Sequence, residues 1–267
     1  MKGLLISPPV PVKTIMPERY QKRAKLFSKI GGDKPILGIQ PPYGVLYLST
    51  YLKQAGHQVY FLDGFHHSVD AMIALIRREN IRVIGLTAVS CHWRKGLDAI
   101  EAIRCQFPEV YIVVGGAHAN AVKGEALEDS YAIDCVVHGD GEETLVEIVS
   151  RLDAGTSNMA GVLGAITREH VNGDRPSIKD LDSMPLADRS LVQLKDYRPS
   201  PFYYRRLPFT AIIGSRGCPY RCTFCHTETQ TRLRSPESLV AEIEHLQRNY
   251  GVQEVVFYDD TFTLNKR

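Results

Sequence analysis

Two patterns in the sequence predict an α/β fold that opens on a doubly wound parallel sheet. Across the first 150 residues, short apolar runs alternate with longer amphipathic segments, and glycine or proline punctuates the boundaries between them. A third feature, the run R-G-C-P-Y-R-C-T-F-C at residues 216–225, marks the start of a different kind of chemistry.

The apolar runs lie at residues 3–6, 59–62, 83–87, 111–114 and 134–137, and each is followed by a helical pattern. In the first of these, Val45, Leu48 and Leu52 recur at helical spacing behind Pro41-Pro42, and Gly56 provides the stop. Further helices are predicted over about residues 69–78 and 94–106, the latter ended by Pro108. Five strands joined by right-handed crossovers make a flavodoxin-like domain, whose ligand crevice lies at the carboxyl ends of the strands.

Those ends carry unusual residues. T-A-V-S-C-H-W follows the third strand, G-G-A-H-A-N the fourth and H-G-D-G-E-E-T the fifth. Gly115, Gly116, Gly139 and Gly141 let the backbone come close to a flat or phosphorylated ligand, and Ser90, His118 and Glu142 stand beside them as candidate contacts. A single glycine loop would merely end a strand; three on one edge suggest a ligand. None forms G-x-G-x-x-G, so a nicotinamide cofactor is not supported. His66, His67, His92, His118 and His138 all fall near strand ends, where each alone also suits a hydrogen-bonding loop residue.

The chain has 267 residues, 44% hydrophobic content and a formal charge of +2, which is ample for a buried core and gives no bulk-charge reason to expect nucleic acid or membrane as a partner. The apolar run at the start is too short for a signal segment or a membrane span. Six cysteines in this length are not a disulfide framework, and a cytoplasmic, reducing location is expected if thiols are to hold iron. Cys105 in a helical pattern and Cys135 in a strand are expected to be small core residues, whereas Cys91 falls in a candidate ligand loop.

Cys218, Cys222 and Cys225 form a Cys-x-x-x-Cys-x-x-Cys triplet just after an apolar strand at residues 209–213. An iron–sulfur cube has four irons, so three protein ligands leave one iron open to a small molecule. Gly214 and Gly217 suit a tight loop around such a centre. The alternatives are a structural zinc site, for which no fourth ligand stands at finger-like spacing, and a disulfide.

The triplet and its flanks resemble the radical S-adenosylmethionine (SAM) enzymes. With S-P-P near the start, P-P-Y-G-V-L-Y-L-S-T-Y-L-K-Q-A-G-H-Q-V, V-V-G-G-A-H, H-G-D-G-E-E-T, M-P-L-A-D-R and V-F-Y-D-D-T-F-T in order, the resemblance extends over nearly the whole chain to the subgroup with a preceding cobalamin-binding domain. It implies a [4Fe-4S] cluster on the three cysteines, SAM chelated at the open iron, Phe224 next to the adenine, and cobalamin at the sheet edge. No Asp-x-His-x-x-Gly is present, and D-G-F-H-H-S at residues 63–68 has the wrong spacing, so the implied subgroup is one without a protein histidine on cobalt. Asp259 and Asp260, at the end of a strand predicted over residues 254–258, are implied to touch SAM or substrate; the alternative is a carboxylate capping the next turn.

The implied activity is a methyltransferase acting on an unactivated carbon of a small molecule through a 5'-deoxyadenosyl radical and methylcobalamin, with an external flavodoxin- or ferredoxin-type electron donor. A cyclase or rearrangement enzyme, or a non-catalytic binding module, are the alternatives. The expected organisation is a cobalamin domain over 1–150, a linker with a short hairpin over 151–207, and over 208–267 the beginning of a partial (β/α)6 TIM-type barrel. The linker is marked by Pro185, Pro199, Pro201 and Pro208, and the last helix by Ser235-Pro236, Leu239, Ile243, Leu246, Tyr250 and Gly251. A basic stretch, R-Y-Q-K-R-A-K, is expected to be a solvated helix face. Because barrel strands bury both faces, Ile212, Ile213, Val255, Val256 and Phe257 are expected to be exposed in so short a barrel segment, and the chain by itself is expected to turn over no substrate.

Overall fold

Alternation along β1 (Lys2–Ile6) sends Leu4 and Ile6 to one side of a sheet and Leu5 to the other, and all three are buried. In the computed structural model, which describes residues 1–9, 40–197 and 204–264, the same holds for the neighbouring strands. β2 (Gln58–Leu62), β3 (Val83–Thr87), β4 (Tyr111–Gly115) and β5 (Cys135–Val137) are parallel to β1 in the order β2-β1-β3-β4-β5. This is the flavodoxin-like order, with the switch point between β1 and β3. β6 (Ala165–Ile166) adds an antiparallel sixth strand against β5, and Ile166 bridges to Val171 to make the short hairpin.

Helices cover both faces. α1 (Tyr43–Gln54) and α6 (Gly141–Asp153) bury Val45, Leu52, Leu145 and Ile148 with Leu5, Val83 and Val113 on one side. On the other, α2 (Val69–Glu79) and α3 (Trp93–Gln106) bury Met72, Ile76, Leu97 and Ile100 with Leu4, Ile84 and Ile112. The short helices α4 (Ala117–Val122) and α5 (Ala126–Asp129) follow β4. Cys135 is buried in the sheet, and burial pushes its thiol up to about 12, which leaves it a small inert core residue. Cys105, expected in the core, is instead exposed. It lies two positions after the buried Ile103, a rotation of about 200° that turns it to the opposite face of α3.

The chain divides into two compact units, with the change between Ser177 and Ile178. The stretch expected as a linker is shared between them: Met159, Val162 and Ala165 fill the first core, whereas Leu181, Arg189 and Leu194 are buried within the second unit. The second unit is a βαβ arrangement in which β7 (Phe209–Ile212) pairs in parallel with β10 (Glu254–Phe257) across α7 (Pro236–Tyr250). α7 begins on the Ser235 hydroxyl, which accepts from Ser238 N–H at 3.1 Å, continues with Pro236 in its first turn, and ends on Gly251 at φ +63°.

Ile212 is 1% exposed, contrary to the exposure expected of it. The segment after Ile178 reaches the same strand: the fully buried Arg189 guanidinium donates to the Ala211 carbonyl of β7 at 3.0 Å and to Glu242 of α7 at 2.9 Å. Glu242 also accepts from Arg234, so the buried carboxylate meets two guanidinium groups. Ile213, Val255, Val256 and Phe257 are half-buried rather than fully exposed. The basic stretch predicted as a solvated helix face lies outside the described residues.

Candidate functional site

Two loop systems carry the predicted site residues, one in each unit. In the second, the chain leaves β7 through Gly214, forms the two-residue strand β8 (Ser215–Arg216), runs through the cysteines and returns in β9 (Arg232–Leu233), antiparallel to β8. All three cysteines therefore sit in one loop closed by its own base. Gly217 has φ +82°, and a Cβ there would come within 2.3 Å of the Gln230 carbonyl oxygen, so only glycine fits where the loop closes. Next to it, Cys218 N–H donates to the Glu228 carbonyl at 2.8 Å, and Cys225 N–H donates to the Cys222 carbonyl at 3.0 Å.

The thiols are free, Cys218 half-buried and Cys222 and Cys225 exposed. Cys218 Sγ lies 3.8 Å from the Thr261 hydroxyl, and Cys225 Sγ 3.3 Å from that of Thr227. Phe224 stands 92% exposed between them in sequence. Among the described residues no three His, Cys, Asp or Glu side chains close around the position of a single ion. A cube takes thiolates at separate corners, and three accessible thiols in one tight loop are the donor set it needs. The site fits that group.

Asp259 and Asp260 follow β10, as predicted, but their surroundings differ. Asp259 accepts from Gly214 N–H at 3.1 Å and from the Ser215 hydroxyl, so its carboxylate grips the point where the cysteine loop departs from the barrel strand. Asp260 is exposed.

In the first unit, the loops after β1, β2, β3, β4 and β5 share the carboxyl edge of the sheet. Gly116 has φ +93°, and a Cβ would meet the Thr87 hydroxyl at 2.5 Å and Ala88 N at 3.1 Å. The close approach lets Ala88 N–H donate to Gly115 O at 3.2 Å and His118 N–H to Ala88 O at 3.1 Å, which joins the β3 and β4 loops. The His118 ring sits 3.0 Å from the Ser90 hydroxyl and stacks on Trp93 with centroids 4.5 Å apart. Gly139, at φ +76°, donates its N–H to the Asn120 side chain at 2.8 Å and so joins the β4 and β5 loops. Gly141 begins α6 and makes only ordinary contacts, and Glu142 is buried in that helix's first turn. His138 is buried, with Asp174 3.4 Å from its Nδ1. Burial first, then the Lys123 charge, hold its pKa below the ordinary histidine value.

Three further residues hold this edge and had escaped assignment as site residues. The buried Asp63 carboxylate accepts from the Ser7 hydroxyl at 2.6 Å and from Phe65 N–H at 3.0 Å, while Gly64 N–H donates to Ser7 Oγ at 3.0 Å. Asn120 is the third. For Ser7 and Asp63 the signal in the sequence was a small polar residue directly after an apolar run, a position at which loop backbone needs side-chain partners; Asn120, inside α4, carried no such signal. His66 and His67 donate their backbone N–H groups to the Asp63 carbonyl and are exposed. A doubly wound sheet whose loops are joined in this way at its carboxyl edge has there the crevice in which such folds hold a ligand.

The fold and the two loops thus define a two-part protein, a flavodoxin-like ligand domain followed by a barrel segment with three open thiols. Comparison with known proteins gives that class its family. Residues 34–149 match the B12 binding domain and residues 212–267 match the radical SAM superfamily. The chain thus carries the domain pair of the cobalamin-binding radical SAM proteins, a B12 binding domain followed by radical SAM superfamily sequence. It is 30% identical over 237 residues to an uncharacterized methyltransferase of Pyrococcus horikoshii, a match spanning 85% of this chain and 50% of that protein. It is 29% identical over 257 residues to the anaerobic magnesium-protoporphyrin IX monomethyl ester cyclase of Cereibacter sphaeroides, spanning 88% of this chain and 40% of that one. The cobalamin-dependent radical SAM methyltransferase TokK of Streptomyces tokunonensis is 27% identical over 69% of this chain and 28% of its own length. The chain thus spans about half or less of the relatives it matches. In fold, it superposes on the cobalamin-dependent SAM radical enzyme OxsB with a TM-score of 0.67 at 16% identity, covering 98% of this chain and 34% of that one. Among the described residues no helix is long and apolar enough to cross a membrane.

Proposed function

We propose that the protein is a cobalamin-dependent radical SAM methyltransferase that acts on an unactivated carbon of a small molecule. The observation that carries the reading is the closed loop with three free, accessible thiols, in a chain that also holds a B12-type domain. Methyltransferases among its relatives support methyl transfer over the other outcomes of this chemistry. When bound, the cluster would supply an electron to SAM and the corrin would supply a methyl-carrying cobalt centre. Cys218, Cys222 and Cys225 would hold the cluster, Phe224 would lie against the adenine, and Asp260 is free to meet SAM or substrate. Gly115, Gly116, Gly139 and Gly141 would let backbone line the corrin, with Ser90, His118 and Glu142 beside them. A flavodoxin- or ferredoxin-type donor and a reducing cytoplasm belong to this proposal, because exposed thiols and a low-potential cluster need both.

A ring-forming reaction is the second reading, favoured by the cyclase relative at similar identity. The two part in one experiment. The chain is incubated anaerobically with reductant, cobalamin and SAM labelled in the methyl group. Label transferred to a co-purified or supplied small-molecule acceptor supports methyl transfer. Consumption of SAM to 5'-deoxyadenosine and methionine, with the label retained in the methionine and none in the acceptor, supports the second reading.

A further inference from the structure

Both Asp259 oxygens are engaged by the loop they face, one by Gly214 N–H and the other by the Ser215 hydroxyl. Two residues on, the Thr261 hydroxyl approaches Cys218 Sγ at 3.8 Å. Between these contacts Arg234 N–H donates to the Gly214 carbonyl at 2.8 Å, which ties the returning strand to the same point. The D-D-T segment after β10 thus touches both the entry of the cysteine loop and its first thiol, although 41 residues separate Cys218 from Asp259 in the chain.

We propose that Asp259 is a positioning residue: it sets the start of the cysteine loop so that Cys218 is presented for cluster binding, and Thr261 donates to the Cys218 sulfur. The inference rests on the reading of the triplet as a cluster site. A charged acceptor suits the task, because hydrogen bonds to a carboxylate are stronger than neutral ones and Gly214 N–H has no helix or sheet partner to replace it. A Cβ at Gly214 would lie 3.2 Å from Asp259 Oδ1, so the missing side chain is what lets the carboxylate come so close to the backbone. The neighbouring Asp260 is exposed and makes a control of equal charge.

The test uses the full chain, first without iron. Asp259→Asn and Ser215→Ala should each raise the rate at which iodoacetamide alkylates Cys218, by about tenfold for the former, as expected on losing a charge-assisted hydrogen bond. Ser215→Thr, which keeps the hydroxyl, and Asp260→Asn should leave the rate at the wild-type value, and circular dichroism should show all four variants folded. After anaerobic reconstitution, Asp259→Asn should retain less iron and sulfide than wild type and Asp260→Asn as much. Thr261→Val should keep its iron but show a more negative cluster potential, because a hydrogen bond to the sulfur stabilises the reduced cluster; Thr261→Ser should restore it. Wild-type alkylation rates and iron content in folded Asp259→Asn would overturn the proposal. Failure of wild type itself to take up iron would instead overturn the cluster reading, while the alkylation rates of the iron-free chain would still decide whether Asp259 sets the loop.

Discussion

Among the described residues, the carboxyl edge of the first unit's sheet is tied together loop to loop, whereas the cysteine loop of the second is anchored at its base. Around the edge, Ser7 and Asp63 join the loops after β1 and β2, Gly116 permits the bonds joining β3 and β4, and Asn120 joins β4 to β5. Between Cys218 and Glu228 the comparable bond is local, from Cys225 back to Cys222. A corrin is bound by a broad surface, so the surface must exist beforehand. A cluster is held by covalent iron–thiolate bonds, so the loop needs a fixed start and accessible thiols, and the bonds themselves order the rest.

The largest expected effect separates the two systems. Cys222→Ala should abolish cluster iron, measured by metal analysis after anaerobic reconstitution, while binding of hydroxocobalamin by the same variant stays at the wild-type level. Loss of both would show that the two sites do not form independently.

Glycine substitutions probe each loop system by itself. Gly217→Ala combines positive φ with a 2.3 Å clash against a backbone oxygen, and should lower iron uptake severalfold. Gly116→Ala should weaken cobalamin binding and destabilise the first unit by about 1–3 kcal/mol, since its Cβ would press on Thr87 and Ala88. At Gly139 the backbone is also left-handed but a Cβ meets open space, so Gly139→Ala should cost only about 1 kcal/mol in a denaturant melt. Equal costs at Gly116 and Gly139 would contradict the tied-edge account.

The smallest effect concerns pH. Burial holds the His138 and His57 pKa values below the ordinary value, so both favour the neutral form in the folded chain. The unfolded state therefore binds more protons, and stability should be full above about pH 6.5 and fall as pH drops through the lowered folded values. His138→Gln should flatten part of that fall in thermal melts from pH 8 to 5, and an unchanged profile would remove His138 as a contributor.

Much of the first unit was legible because its strands and helices are periodic. The five parallel strands lie within a residue of their predicted ends, and the α7 caps at Ser235 and Gly251 follow from local chemistry. What escaped depends on tertiary partners. The buried pair Arg189 and Glu242 meets across 53 residues, and β8 pairs with β9 over only two residues each. Cys105 reads as apolar by type, and only the rotation of α3 turns it outward. At the sites, the triplet was plain from spacing, whereas the partners of Asp259 were hidden because Gly214 and Ser215 carry no pattern that points to a strand end so distant.

That one chain pairs a corrin surface with an open three-thiolate cluster loop can be checked most directly by counting iron, acid-labile sulfide, zinc and corrin after anaerobic reconstitution, with Cys222→Ala beside it. About four irons and a matching amount of sulfide per loaded chain, one bound corrin, and no iron in the variant are expected. Stoichiometric zinc without sulfide, together with no affinity for any corrinoid, would contradict that pairing.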